Sequence, residues 1–252
     1  MEPSTIQETM QKSSVNIQFN IDAWNAHSAG ISTPEQWQDW AKTDLWPEDA
    51  KIETSSIPPM MRRRMSNLSK LAVQTTLELL EEHEVDYLVF SSRHGELHRS
   101  VKLIDDIVRG EEASPMAFSQ SVHNTAAGLA TIAAKKPIPV TSIAASHNTF
   151  QSALIEAWSY LQSNPNHKVL VIDFDEPLPD AYTKYENQVY RGYGLGLVLS
   201  CGDKFSISKQ MTNDTQELPL PQALTFVRHF LSDSLNWTIS SPSQQWLWHK
   251  KP

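Results

Sequence analysis

The run Lys168–Phe174, KVLVIDF, is the stretch that most restricts what this chain can become. Apolar side chains at consecutive positions leave a strand with no solvent face, so it must lie inside a sheet that is covered on both sides. Val85–Ser91, VDYLVFS, and Pro139–Ala144 read the same way. The text between these strands is helical. Met61–His83 carries Met65, Leu68, Ala72, Thr75 and Leu79 on one stripe, with no Gly or Pro inside. Leu97–Arg109 sets Val101, Ile104 and Val108 on one face and stops at Gly110, and Thr149–Ser163 supplies a third helix. Strands alternating with helices predict an α/β layer fold.

The flanking segments extend this plan. Residues 1 to 16 read as a tail, and the text from Val15 to Ile31 begins with strict apolar/polar alternation, the mark of a half-buried strand. Thr33 and Pro34 open a short helix as N-cap and first helical residue, running through Trp40, and Pro47, Pro58 and Pro59 punctuate a loop. Trp24, Trp37 and Trp40 are expected in the core. A segment rich in small residues from Ser114 to Ala134 reads as a helix that holds His123 and Asn124 and should pack close to another backbone. Gly192–Ser200, GYGLGLVLS, predicts a strand whose glycines permit close approach, and Cys201-Gly-Asp predicts a hairpin turn into Phe205. After a Pro-rich linker, Leu218–Pro221, a helix is expected over Gln222–Leu235, with a tail ending SQQWLWHKKP. The organisation predicted is a tail over 1–16, an α/β domain over 17–217, and a C-terminal helix and tail over 218–252 that pack on it.

Composition excludes several classes of function. The chain has 252 residues, 21 Lys and Arg against 29 Asp and Glu, and a net charge of −8, which disfavours a nucleic-acid partner. Mean hydropathy is −0.40, and no apolar run approaches the roughly 18 residues of a membrane span. The first residues, MEPSTIQETMQKSS, hold no apolar core of a signal peptide, so a cytoplasmic location is expected. One cysteine, Cys201, rules out an internal disulfide and a multi-Cys zinc site. The basic run Arg62-Arg63-Arg64 is read as a solvated face, or as a dock for an acidic partner such as a carrier protein.

Motifs for nucleotide binding (GxGxxG, GxxxxGK[ST]) and the GxSxG hydrolase elbow are absent. His94 and His98 stand four apart, but His94 falls before its helix, so a surface pair is expected rather than a metal site. Asp173 and Asp175 lie on one strand face, where paired carboxylates can share a proton or bind a cation, but a turn-forming Asp before Pro177 is the commoner arrangement. Cys201 has no helix N-terminus after it to favour a thiolate. The stretch Pro139–Leu154, PVTSIAASHNTFQSAL, reads as a strand turning into a helix through small residues, an elbow at which enzymes expose a nucleophile.

Read together, Ser114-Pro115, Asn124, Ala127-Gly128 and the strand to Ala144 follow one another without gaps in the order of the β-ketoacyl synthase core. IDAWNAHSAGISTPEQWQDW near the start, VFSSRHGE, and QALTFVRHFLS with WLW at the end resemble the ketosynthase-like N-terminal family of aryl polyene gene clusters. The resemblance spans about Val15 to Trp248. It implies a thiolase-like fold, a layered α/β/α lobe with a mixed sheet, with no counterpart of a C-terminal lobe in the sequence.

In the condensing β-ketoacyl synthases a cysteine occupies the elbow. Here the matching position falls on His147, with Ser146 and Ala145 as alternative registers, and none is Cys. The two His and the Lys that a ketosynthase draws from its C-terminal half have no counterpart either. The resemblance therefore implies a chain-length-factor-like subunit, inactive by itself, paired as a heterodimer with a catalytic β-ketoacyl-acyl-carrier-protein synthase. Val140, Thr141, Ser142 and Ile143 would pair across the dimer axis with His123 and Asn124 nearby, and Met116 and Phe118 would line the partner's tunnel. The carrier protein would be met through the partner or at Arg62, Arg63 and Arg64. No cofactor or metal is implied. A rival reading makes Ser146 or His147 the acyl acceptor of an acyltransferase or thioesterase, and a third makes the chain a purely structural support for the synthase.

Overall fold

The computed structural model describes residues 16–48, 50–213 and 218–252. A seven-stranded mixed sheet runs through them: β1 (Asn16–Ser28), β2 (Tyr87–Ser91), β3 (Val140–Ile143), β4 (Lys168–Asp175), β5 (Tyr193–Met211), β6 (Asn236–Ser241) and β7 (Gln244–Lys250). The order is β3-β2-β4-β5-β7-β6, with β1 also pairing β5. β2 lies parallel to both β3 and β4, while β5 is antiparallel to β4, β1 and β7. The helices are α1 (Pro34–Thr43), α2 (Pro59–Arg62), α3 (Asn67–Glu82), α4 (Leu97–Val108), α5 (Pro115–Ser119), α6 (Thr125–Ala134), α7 (Thr149–Ser163) and α8 (Gln222–Phe230).

Side-chain alternation along the central strands divides the core in two. Leu88, Phe90, Leu170, Ile172 and Val198 pack under Leu68, Ala72 and Leu79 of α3 and Ala126, Ala127 and Ala130 of α6. Val89, Val171 and Leu197 point the other way, against Phe150, Ala153 and Leu154 of α7 and, farther along, Leu224, Phe226 and Val227 of α8. The layered α/β/α lobe is thus present, built on the KVLVIDF run, which gains Asp175 as its last strand residue. Trp37 and Trp40 are buried as expected, and Trp24 is half-buried. Thr33 caps α1 and forms a capping box with Gln36.

Four expectations are corrected. The long helix from Met61 divides at Arg63–Ser66, because Ser66 turns extended (φ −62°, ψ 166°) and its hydroxyl caps Ser69 N–H to start α3. Small residues from Ser114 to Ala134 form two helices, with His123 and Asn124 in the break between them. Cys201-Gly-Asp makes no hairpin, since β5 runs straight on to Met211. Between Phe19 and Asn20 the register jumps from Phe205 to Ser200, so residues 201–204 bulge and the Asn20 amide fills the gap, bonding Cys201 O and Lys204 N–H. The final tail is the β6–β7 hairpin, which joins the sheet through β5, and the helix before it ends at Phe230. The N-terminal tail, apart from Asn16, lies outside the described residues.

The glycines of GYGLGLVLS behave as read. A Cβ on Gly194 would lie 2.9 Å from Leu71 O, and one on Gly196 would overlap Leu79 Cδ1, so α3 rests almost directly on β5.

Candidate functional site

β3 ends at Ile143, and a single turn of 3-10 helix, Ser146–Asn148, delivers the chain into α7. Thr149 shapes this elbow by accepting from Ala145 N–H at 2.9 Å and donating to Ser146 O at 2.8 Å. Ser146 carries the strain: its φ is +53°, a left-handed value that non-glycine residues seldom adopt and that clusters at functional turns. Its side chain is exposed, while His147 is half-buried with Nε2 accepting from the Arg93 guanidinium at 3.4 Å.

Asn148 was not singled out by the sequence, yet it ties the elbow down. Its Oδ1 accepts from Ser241 Oγ at 2.7 Å, Trp246 Nε1 at 2.8 Å and Gln222 Nε2 at 3.3 Å. These donors come from β6, β7 and α8, so the C-terminal hairpin and helix close over the turn. Phe150 stacks on Trp248 with rings 9° apart, and Phe226 packs 4.9 Å from Trp248.

Beneath the elbow is a cavity of 30 Å³ lined by Arg93, Ser146, His147, Asp173, Asp175 and Gln222 among others. That volume holds one or two waters. Ala145, the third register alternative, does not line it.

Asp173 and Asp175 end β4 on the α7 face, 2% and 6% exposed, as strand residues and not as the start of a turn. Asp173 accepts from Ser91 Oγ at 2.6 Å and Tyr193 Oη at 2.8 Å. Asp175 accepts from Ser92 Oγ at 2.8 Å and from the backbone N–H of Arg93 at 2.8 Å and His94 at 3.3 Å. Burial, reinforced by the neighbouring Asp175, pushes Asp173 up to about 7. Burial also raises Asp175, to about 6, held lower by the Arg93 and His94 N–H groups, Ser92 and the Arg93 charge. Three donors fit an ionised Asp175, so Asp173 is the member that keeps a proton as the pair titrates. Burial and these two carboxylates drive the Tyr193 phenol well above its ordinary value.

Away from the elbow, β3 pairs with β2 alone, leaving its other edge open among the described strands. A 440 Å³ groove along that edge gathers His123, Asn124, Val140, Thr141 and Ser142, but not Ile143. Met116 and Phe118 sit on α5 with 52% and 63% of their surfaces exposed. Arg62 and Arg63, with Lys51 and Lys70, line a separate 610 Å³ groove, while Arg64 lies outside it. Among the described residues none of these five cations pairs with a carboxylate, and Arg62 donates instead to Thr54 O at 3.3 Å. His98 bonds Pro177 O at 2.8 Å and approaches Glu176. Among the described residues no cluster of three or more His, Cys, Asp or Glu is placed to hold a metal, and no helix is long and apolar enough to cross a membrane. Cys201 is half-buried at the β5 bulge, with Sγ 3.8 Å from Leu161 O.

Comparison with known proteins places this geometry. The chain is similar over 93% of its length, and over 100% of the matched chain, to a structure described as a ketosynthase (ApeO) in complex with its chain length factor (ApeC) from Xenorhabdus doucetiae, at 33% identity and a TM-score of 0.85. Likeness in fold alone extends to the ishigamide ketosynthase/chain length factor, at 15% identity and TM-score 0.59, covering 78% of this chain and 67% of that one. It extends also to a β-ketoacyl synthase from Burkholderia phymatum STM815, at 11% identity and TM-score 0.56, covering 78% and 65%. No curated protein matches the chain. Residues 37–249 match the model for the β-ketoacyl synthase N-terminal domain, and the chain belongs to that family.

Proposed function

We propose that this protein is a non-catalytic, chain-length-factor-like subunit that pairs with a β-ketoacyl-acyl-carrier-protein synthase and shapes its acyl tunnel. The observation that carries the reading is the elbow. Condensation needs a thiolate there to hold the acyl chain, and none of Ala145, Ser146 and His147 supplies one; Ser146 and His147 line the 30 Å³ cavity beneath the turn. Its only cysteine is on β5. The likeness to a ketosynthase and chain length factor complex, whose matched chain is spanned in full, supports the same reading.

In this role the open β3 edge, Val140 to Ile143, adds to the partner's sheet, with His123 and Asn124 beside it. Met116 and Phe118 present apolar bulk to the partner's tunnel. Arg62, Arg63 and Arg64, which pair with no carboxylate among the described residues, offer an acidic carrier protein a docking face. One observation favours the rival enzyme reading: the strained turn exposes the Ser146 hydroxyl. Intact-mass measurement after incubation with an acyl thioester separates the two. The subunit reading expects no acyl adduct on residues 145–149, and a stoichiometric adduct on Ser146 or His147 would overturn it.

A further inference from the structure

We infer that Asp175 is a positioning residue for the segment Ser114–Asn124, acting through the β2–α4 loop and His123. The consequence for product length rests on the proposed pairing with a ketosynthase; the positioning itself does not.

The loop folds around the carboxylate. Asp175 takes donors from Ser92, Arg93 and His94, and Ser92 Oγ in turn accepts from Gly95 N–H at 2.7 Å. An amide in its place would set an N–H₂ against backbone donors that have no other role to adopt. The next link runs outward. Ser92 O accepts from His123 Nε2 at 2.8 Å, and Gly95, at φ +55°, packs so close that an added Cβ would lie 2.9 Å from His123 Cδ2. The first turn of α4 holds the same segment: Arg99 Nη1 donates to Gln120 Oε1 at 2.5 Å and Ser100 Oγ to Ser121 O at 3.2 Å. The root of the segment is therefore held by His123, whose bond leads back through Ser92 to Asp175, and by two further bonds from α4, while its apolar tips, Met116, Phe118 and Val122, stay exposed. Among the described residues Asp173, two residues earlier on the same face, bonds only Ser91 and Tyr193, so it has no direct bond to the loop and serves as an internal control.

Hydrogen exchange on the full chain tests this. Asp175→Asn is expected to speed exchange in residues 116–124 by about tenfold, with loss of protection in 92–96, while Asp173→Asn leaves 116–124 at the wild-type rate. His123→Ala breaks the last link without touching the sheet and is expected to free 116–124 alone, which keeps the test open if Asp175→Asn does not fold. Unchanged exchange of 116–124 in His123→Ala, or loosening of 92–96 without 116–124 in Asp175→Asn, would overturn the inference. Product length is then read with the ketosynthase partner present. A shift for Asp175→Asn and His123→Ala but not for Asp173→Asn supports both claims, and faster exchange with unaltered product length sinks the tunnel-facing role while leaving the positioning intact.

Discussion

Placing two carboxylates two residues apart on one buried face of β4 makes their ionisation interdependent, and this gives the protein a pH signature. Asp173 has a folded pKa of about 7 against an ordinary 3.8, so the folded state binds more protons than the unfolded one between these values. Its contribution to stability is fully present below about pH 4 and is lost as pH rises through 7, a change on the order of 4 kcal/mol at most. Denaturant unfolding of Asp173→Asn is thus expected to show a gain over wild type that is larger at pH 8 than at pH 5; a pH-independent difference would contradict the assignment. Asn148 makes a second case. Asn148→Ala strands three donors around a partly buried oxygen and is expected to cost about 3 kcal/mol, read as a lower denaturation midpoint. The Asp pair was legible in the sequence through its two-residue spacing at a strand end. Asn148 was not, because its partners lie 74, 93 and 98 residues away and no local pattern announces such a hub.

Elements were legible where one period dominates. KVLVIDF and the alternation at β1 marked the sheet's centre and one of its antiparallel strands, and the glycines of β5 were read correctly as permitting close approach, which α3 makes. Gly194→Ala tests that packing: its Cβ would meet Leu71 backbone, which cannot rotate aside, so a loss of about 2 kcal/mol in unfolding free energy is expected. Reading failed where a polar side chain took over the backbone. Ser66 broke a helix whose apolar stripe runs on through Met65 and Leu68, and Asn20 filled a bulge where a Gly-Asp pair suggested a turn. The C-terminal hairpin did carry a signal, since Trp237 and Ile239 alternate inward, as do Trp246 and Trp248. Its short polar connection, Pro242 and Ser243 with Ser243 at φ +64°, was the turn to look for.

At the scale of the molecule, one face of the lobe is finished and another is not. α7 is enclosed between the sheet and the α8–hairpin unit, with Phe150, Phe226 and Trp248 in contact across it. By contrast the β3 edge, the exposed tips of α5 and Ile132 of α6 leave apolar surface uncovered. A charge on that edge should be felt by a partner and hardly by the fold: Val140→Lys, at a side chain already 41% exposed, is expected to change unfolding free energy by less than about 1 kcal/mol. The same substitution is expected to abolish pairing. Co-expression with a full-length ketosynthase, followed by mass measurement of the purified species in solution, tests the central claim most directly. The account predicts a stable 1:1 complex that Val140→Lys disrupts, and a chain that stays monomeric beside the ketosynthase would contradict it.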